Sequence, residues 1–363
     1  MKQVLILVFI PFFTFSFSQK DDHWYAFYNR DSTKLGFKDA QGNLKIEPKF
    51  QPFMTSQVFA DVIAVTEENS PNISATYYLN KNGHVFGKDS VYIFDFEYAE
   101  MSDGKIKFKD HKNDKVGFFD ANGKVVIPAI YNDAGDFHKG LAVIMKDATR
   151  WCNDNNSSSA ENCEHYGWRN GKNFMINDKN EILFEIPEQT DYSFTIDYSK
   201  FKVNEEVDKD IYTNYKGSDG NQYSFYSAEK DFEKWLNTIF MVDFKKNKTV
   251  LPKYFYDLIS VDDNDNPKEN TAWKNHSKKE YLQKNQKFVD EIFQNLLNKK
   301  LKNNISSEKD LNYLYFPENI LPKEDLKNHL IIGFLPRTEN DYSTKNQFQF
   351  MKIGDGFLIT SAP

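Results

Sequence analysis

Two cysteines, seven histidines and a few acidic clusters are the residues with which this 363-residue chain could do chemistry. Cys152 and Cys163 flank a polar Asn/Ser loop inside "WCNDNNSSSAENCEHYGW". In an exported chain such a close pair is expected to form a disulfide. His165 and Asp154 could join the sulfurs around a metal, but the spacing matches no zinc pattern, and two unpaired thiols are the remaining reading. "DDNDNPKEN" (262–270) offers Asp262, Asn264 and Asn266 at the spacing of a calcium loop. Pro267 stands where that loop needs Gly and Trp273 where it needs Glu, so a solvated linker fits better. Glu205-Glu206 and Glu229 with Glu233 supply paired carboxylates of the kind a glycosidase uses, although charges along a helix or loop usually face solvent. The histidines form no His-x-x-x-His pair, and neither a Gly-x-Ser-x-Gly elbow nor a phosphate-binding glycine loop occurs. No catalytic residue, metal ligand or cofactor is assigned on this basis, and the residues that would bind a ligand stay unassigned.

The elements that could position a site are more legible. "DANGKVVIP" (120–128) echoes "DAQGNLKIEP" (39–48), with weaker copies "NKNGHVFG" from Asn80 and "NDKNEILFEIP" from Asn177. Aligned on Asp39, Asn80, Asp120 and Asn177, each copy has a large apolar residue two places earlier: Phe37, Tyr78, Phe118 and Met175. Three places later stand Gly42, Gly83, Gly123 and Asn180. Asp or Asn opening a turn that Gly closes three residues on predicts a type I turn ending in a left-handed residue, the basis of a short bulged hairpin. Asn is the best non-Gly occupant of that last place. Beyond the turn, Leu44/Ile46, Val125/Ile127 and Ile182/Phe184 alternate with period two, as in a half-buried strand. Pro48, Pro128 and Pro187 then end the strand, where a missing N–H is tolerated. A third strand is expected after each hairpin: "FADVIAV" (59–65), "MSDGKIKF" (101–108), "FHKGLAV" (137–143) and "YSKFKV" (198–203). The anchors lie 41, 40 and 57 residues apart, and the long interval holds the cysteine loop as an insertion at 148–166. A fixed period near 40 in strand-rich sequence predicts a repeat array.

The order Gly-aromatic, Asp, Gly, Ile-Pro, aromatic, then Phe-x-x-Gly-φ-Ala-Val resembles the WG-repeat (KWG) family of bacterial proteins. It is carried by Gly117, Phe118, Asp120, Gly123, Ile127, Pro128, Tyr131, Phe137, Gly140, Leu141, Ala142 and Val143, and again by Gly36, Phe37, Asp39, Gly42, Ile46, Pro48, Phe50, Phe59, Ala64 and Val65. Val116 and Leu35 stand where the family usually has Trp. The resemblance covers roughly residues 24–205 and implies a chain of small antiparallel β units without catalytic residues.

Lys2, the apolar run Val4–Phe17 and the small-x-small pattern Ser16-Phe17-Ser18 describe a secretory signal peptide over residues 1–18. That run is too short for a good membrane anchor, and no second run of spanning length follows. With 46 basic against 53 acidic residues the net charge is −7, which argues against a nucleic-acid binder. Aromatics at 16% allow a sizeable core. Past a Gly/Ser/Asn-rich join at 214–222 the repeat rhythm fades. "AEKDFEKWLNTIF" (228–240) places Phe232, Trp235, Leu236, Ile239 and Phe240 at helical spacing, and 277–301 does the same behind a Ser277/Glu280 capping box. Short strands at 329–335, 347–353 and 357–360 end the chain.

The expected architecture is therefore a mainly β N-terminal array of three-stranded antiparallel WG-like units (24–216), followed by a smaller α+β domain (217–363). The expected function is that of an exported, periplasmic or extracellular, non-enzymatic repeat protein, a monomer that acts as a binding or scaffold module for a protein or glycan partner. The alternative is an effector or hydrolase with its catalytic site in the C-terminal domain and the repeats used for targeting.

Overall fold

The computed structural model describes residues 21–70, 73–152, 163, 166–186, 196–262, 273–299, 302–308, 331–337 and 347–362. Residues 1–18, where a signal peptide is expected, the interior of the cysteine loop, Pro187 and the stretch 263–270 lie outside the described residues. Contacts divide the chain into two compact units, Met1–Phe194 and Thr195–Pro363. The first is built of small antiparallel sheets, and the second combines helices with a mixed sheet.

In the first unit the repeat is a three-stranded meander. Its copies are Trp24–Tyr28/Leu35–Asp39/Leu44–Phe50, Val62–Ser70/Ile73–Asn80/Val85–Phe86, Lys105–Asp110/Lys115–Asp120/Val125–Tyr131 and Leu141–Lys146/Lys172–Asn177/Ile182–Ile186. The third strand thus precedes its hairpin instead of following it. Val62–Ser70 runs antiparallel to Ile73–Asn80 from Val62↔Asn80 to Ser70↔Ile73, and meets the first hairpin only at Phe50↔Glu67. The reason is loop length. In the first three copies antiparallel strands joined by a short loop pair with each other before they pair with anything more distant, and the fourth keeps the same pairing across its long insertion between Lys146 and Lys172.

Each hairpin turns in the same way. Gly42 N–H donates to Asp39 O (2.9 Å) and Asp39 N–H to Asn43 O (3.0 Å), while the Asp39 carboxylate accepts from the N–H groups of Gln41 and Asn43. The bonds recur at Asn80–His84, Asp120–Lys124 and Asn177–Glu181. Gly42, Gly83, Gly123 and Asn180 have φ of +84°, +80°, +77° and +64°. A fifth copy of the turn stands at 217–221, where the sequence reads as a join. Gly220 (φ +88°) donates to Gly217 O, and Gly217 N–H donates to Asn221 O. Gly217 has no side chain to hold the turn, and Asp219 does so instead by accepting from Asn221 N–H at 3.0 Å. The flanking strands Tyr212–Lys216 and Gln222–Tyr226 pair with each other, and Lys202–Val203 adds to the far side of Gln222–Tyr226.

The glycine of the Gly-aromatic pair has a different cause. Opposite Gly36 the register jumps from Leu35↔Phe50 to Phe37↔Ile46, so three residues including Pro48 face one. Opposite Gly117 it jumps from Val116↔Tyr131 to Phe118↔Ile127 around Pro128. Such a bulge pushes the partner backbone inward. A Cβ on Gly36 would lie 2.5 Å from Ile46 O, and one on Gly117 2.6 Å from both Ile127 O and Ala129 N. In the fourth copy Phe174 occupies this place, and the register there runs unbroken from Asn173↔Ile186 to Met175↔Phe184. The glycine is present where the bulge is present.

The second unit wraps helices on a six-stranded sheet whose order is Trp273–Ser277, Phe255–Asp262, Gly356–Ser361, Phe348–Ile353, Ile331–Arg337, Lys302–Glu308. Only the pair Phe255–Asp262/Gly356–Ser361 is parallel. Helix Lys278–Leu297 starts at the capping box formed by Ser277 and Glu280. The first helix departs from a single regular period: Ala228–Trp235 passes into a five-residue π-turn, Leu236–Phe240, and then Met241–Lys246. The wider turn brings Phe240 fully inside and leaves Ile239 45% exposed, which corrects the expected inward stripe. Phe288, one of the apolar residues at helical spacing in 277–301, also faces solvent. The core is aromatic, with the Phe232 ring 4.8 Å from Phe350 and 5.1 Å from Phe357. Burying one such side chain stabilises by roughly 1.5–3 kcal/mol. No helix among the described residues is long and apolar enough to cross a membrane.

Candidate functional site

After each hairpin the chain travels to the next unit through a connector that is free of the recurring turn positions. Three connectors of the first unit meet around one groove of about 580 Å³. Met54 and Val58 come from the first, Phe94, Glu97 and Glu100 from the second, and Asp136 from the third.

Tyr78, in the second hairpin, holds the floor together. Its hydroxyl donates to Lys107 O (2.6 Å) and accepts from Tyr92 N–H (3.0 Å). Burial raises its pKa, so the phenol stays a donor. Lys107 is thereby set beside Tyr92: its Nζ lies 4.7 Å from the Tyr92 ring centroid and 3.0 Å from Asp136 Oδ1. The Tyr92 hydroxyl donates to Asp133 Oδ1 at 2.7 Å, and Ala134 N–H donates to the same oxygen at 2.7 Å. Asp133 is buried, and loss of hydration pushes its carboxyl above the usual range although the Tyr92 bond opposes this. A smaller cavity of about 190 Å³ shares Tyr92, Phe94 and Lys107 with the groove and reaches Asp133 and Asn173.

The groove's edge is apolar and strained. Ile93–Phe94 and Glu97–Tyr98 form a hairpin whose tip is Asp95-Phe96, with φ of +46° and +64°. Such a tip ordinarily carries Asn-Gly or Asp-Gly, because a bulky side chain is disfavoured at positive φ. Phe96 is nevertheless 72% exposed, so burial does not compensate for the strain. Phe53, 67% exposed, lies 6.2 Å from it, ring to ring, and the next residue, Met54, has φ +67°. Among the described residues, the non-glycine positions with positive φ are Ser, Asp, Asn or Lys except for Met54 and Phe96. Strain that folding does not need is a mark of a functional position.

The residues singled out in the sequence lie elsewhere. Cys152 and Cys163 form a disulfide. Beside it, in the hairpin Thr149–Cys152/Tyr166–Arg169, Arg150 stacks on Tyr166 and Arg169 on Trp151. Asp39, Gly42, Gly83, Asp120, Gly123 and Asn180 are spent on turns. Glu205 pairs with Lys202 at the surface, and Glu229 accepts from the Ser227 hydroxyl at a helix start. In the second unit Tyr226, Asp231 and Lys352 bond one another, as do Asp243, Lys253 and Tyr254. Phenol, carboxylate and ammonium satisfy each other there, an arrangement that braces a fold. Ile63 and Ala64 line the groove from a recurring strand, but its connector residues escape sequence reading because they recur in no copy. The one signal was "IFDFEY" (93–98), a short apolar hairpin whose turn lacks glycine.

With meanders closed by Asp-led turns, proline bulges facing glycine and a groove made of connectors, the first unit is an array of β-repeats. Residues 117–149 match the WG containing repeat. They begin at the bulge glycine and end where the strand Leu141–Lys146 has passed into the fourth copy. No curated protein matches the chain, and no solved structure does.

Proposed function

We propose that this chain is an exported, non-enzymatic binding protein whose β-repeats hold the connector groove toward a partner. The observation that carries the reading is the pair Phe53 and Phe96, two exposed aromatic rings side by side at the mouth of a groove, one on a strained backbone. Exposed apolar clusters of this kind mark contact surfaces. The recurring residues leave nothing for catalysis, since Asp, Asn and Gly make turns, Pro makes bulges, and Phe, Tyr, Ile and Val fill the interior. Export is supported by the signal-like N-terminus and by a disulfide, which persists in oxidising compartments such as the periplasm or the exterior. The test is retention of the intact protein on arrays of immobilised peptides and oligosaccharides. Binding should appear and should be lost in the double variant Phe53→Ser/Phe96→Asn, in which both changes are at exposed sites and Asn accepts positive φ. Binding that this variant leaves unchanged refutes the assignment of the groove.

A further inference from the structure

We infer that the groove takes a basic, apolar polypeptide segment, in which Lys or Arg alternates with aliphatic side chains, from another protein. The inference rests on the binding reading of the groove and adds the chemistry of the occupant. Charge is the first argument. Lys107 is the one basic lining residue, and Asp136 already faces it at 3.0 Å. Glu97 and Glu100 are exposed on the groove and make no ion pair among the described residues, and Asp95 at the hairpin tip adds a third carboxylate. The adjoining cavity, with Asp133 in its lining already held by Tyr92 and Ala134, has walls of Phe94, Val143 and Met145 that suit an aliphatic stem. A long side chain with an apolar stem and a cationic head matches both surfaces. Phosphate-bearing ligands meet repulsion here, and a neutral sugar uses the carboxylates as hydrogen-bond acceptors without the long-range attraction that a cationic side chain adds.

Shape is the second argument. Phe53 and Phe96 stand outside the lining of the groove, so an occupant that covers them must run past its mouth, as an extended segment does and a small amine does not. Phenylalanine offers such a segment apolar area without a polar handle.

The experiment uses the intact, disulfide-bonded protein and labelled nonapeptides of alternating Leu/Lys, Leu/Glu and Leu/Ser, with a neutral oligosaccharide beside them. The Leu/Lys peptide is expected to bind at least about tenfold more tightly than the Leu/Glu peptide at low salt. Glu97→Gln/Glu100→Gln should weaken it roughly four- to twenty-five-fold, at about two- to fivefold per exposed carboxylate, and the difference should shrink as salt rises. Glu205→Gln/Glu206→Gln removes the same charge from the second unit and should change nothing. Equal weakening by the two glutamate pairs would show a non-specific attraction and overturn the inference. Tighter binding of the Leu/Ser peptide or the oligosaccharide, lost in Phe53→Ser/Phe96→Asn, would overturn it while leaving the groove as a binding site. Failure of every probe to bind, or indifference to every groove variant, overturns both.

Discussion

Gly42 and Gly123 close equivalent turns with nearly the same backbone, yet alanine should cost far more at one than at the other. Their φ values are +84° and +77°, so the penalty for placing a Cβ in the left-handed region, about 1 kcal/mol, is common to both. Around Gly42 an added Cβ meets nothing within 4 Å. Around Gly123 it would lie 2.4 Å from Cγ and 2.6 Å from Cβ of Phe86, a residue of the second copy. Phe86 cannot step aside easily, because its ring is held 5.6 Å from Tyr78 and 5.6 Å from Phe119. Overpacking of this kind costs roughly 1–3 kcal/mol, which sets the expected excess of Gly123→Ala over Gly42→Ala. The cause can be isolated with Phe86→Ala. In that background Gly123→Ala should fall back to about 1 kcal/mol, a coupling equal to the excess. Urea unfolding of the intact chain, with hydrogen exchange of the amides in Lys115–Asp120 to report on the third copy, gives the numbers. Equal costs at the two glycines, or a cost at Gly123 that Phe86→Ala does not reduce, would refute the claim that successive copies pack turn against strand.

Three further outcomes follow from the same geometry. Gly117→Ala should destabilise by roughly 3 kcal/mol or more, since its Cβ would lie 2.6 Å from backbone atoms of the bulged strand, which cannot step aside, as well as 2.8 Å from the Phe108 ring; a loss below about 1 kcal/mol in thermal or urea unfolding would discount the bulge explanation. Thiol titration of the folded, unreduced protein should find no free cysteine, and Cys152→Ser/Cys163→Ser should lose up to about 3 kcal/mol, the entropy of a closed loop of this size. The Asp39 carboxyl is lowered from 3.8 to about 2, chiefly by the Asn43 side-chain amide that donates to it. A folded value below the unfolded one means its stabilisation is present above about pH 4 and lost as pH falls through about 2. A carboxyl carbon titrating at 3.8 or above in NMR would contradict that.

Most of the first unit was legible because its constraints are local. An Asp-to-Gly turn needs four residues and one positive φ, and both are written in residue types. What the alignment misplaced was the third strand, since the letters of "FADVIAV" do not say whether it pairs backward or forward; the two residues between Ser70 and Ile73 decide that. The fifth turn was missed for a similar reason. Its anchoring carboxylate moved from the first position to Asp219, so the pattern changed while the bonds did not. In the second unit the helical period was visible, but the π-turn that exposes Ile239 goes with the packing of Phe240 against Tyr254 and Phe293, partners distant in sequence.

The groove we propose as the binding site shows why a repeat alignment would pass such a site over. Positions that recur do so because folding demands them in every copy, and a residue needed by folding in every copy is a poor place for a function needed once. Apart from the buried Phe59 and Phe137, the connectors carry no such demand. In the first they hold Phe53 and Met54, in the second Tyr92, Phe94, Phe96, Glu97 and Glu100, and in the third Asp133 and Asp136. These share no pattern, yet the meanders bring them to one place, and Tyr78, itself a recurring aromatic, ties the floor with two hydrogen bonds from a single hydroxyl. The array acts as a ruler that sets the distance between unlike loops. A change of partner would then require rewriting the connectors alone, with every turn, bulge and core residue left in place.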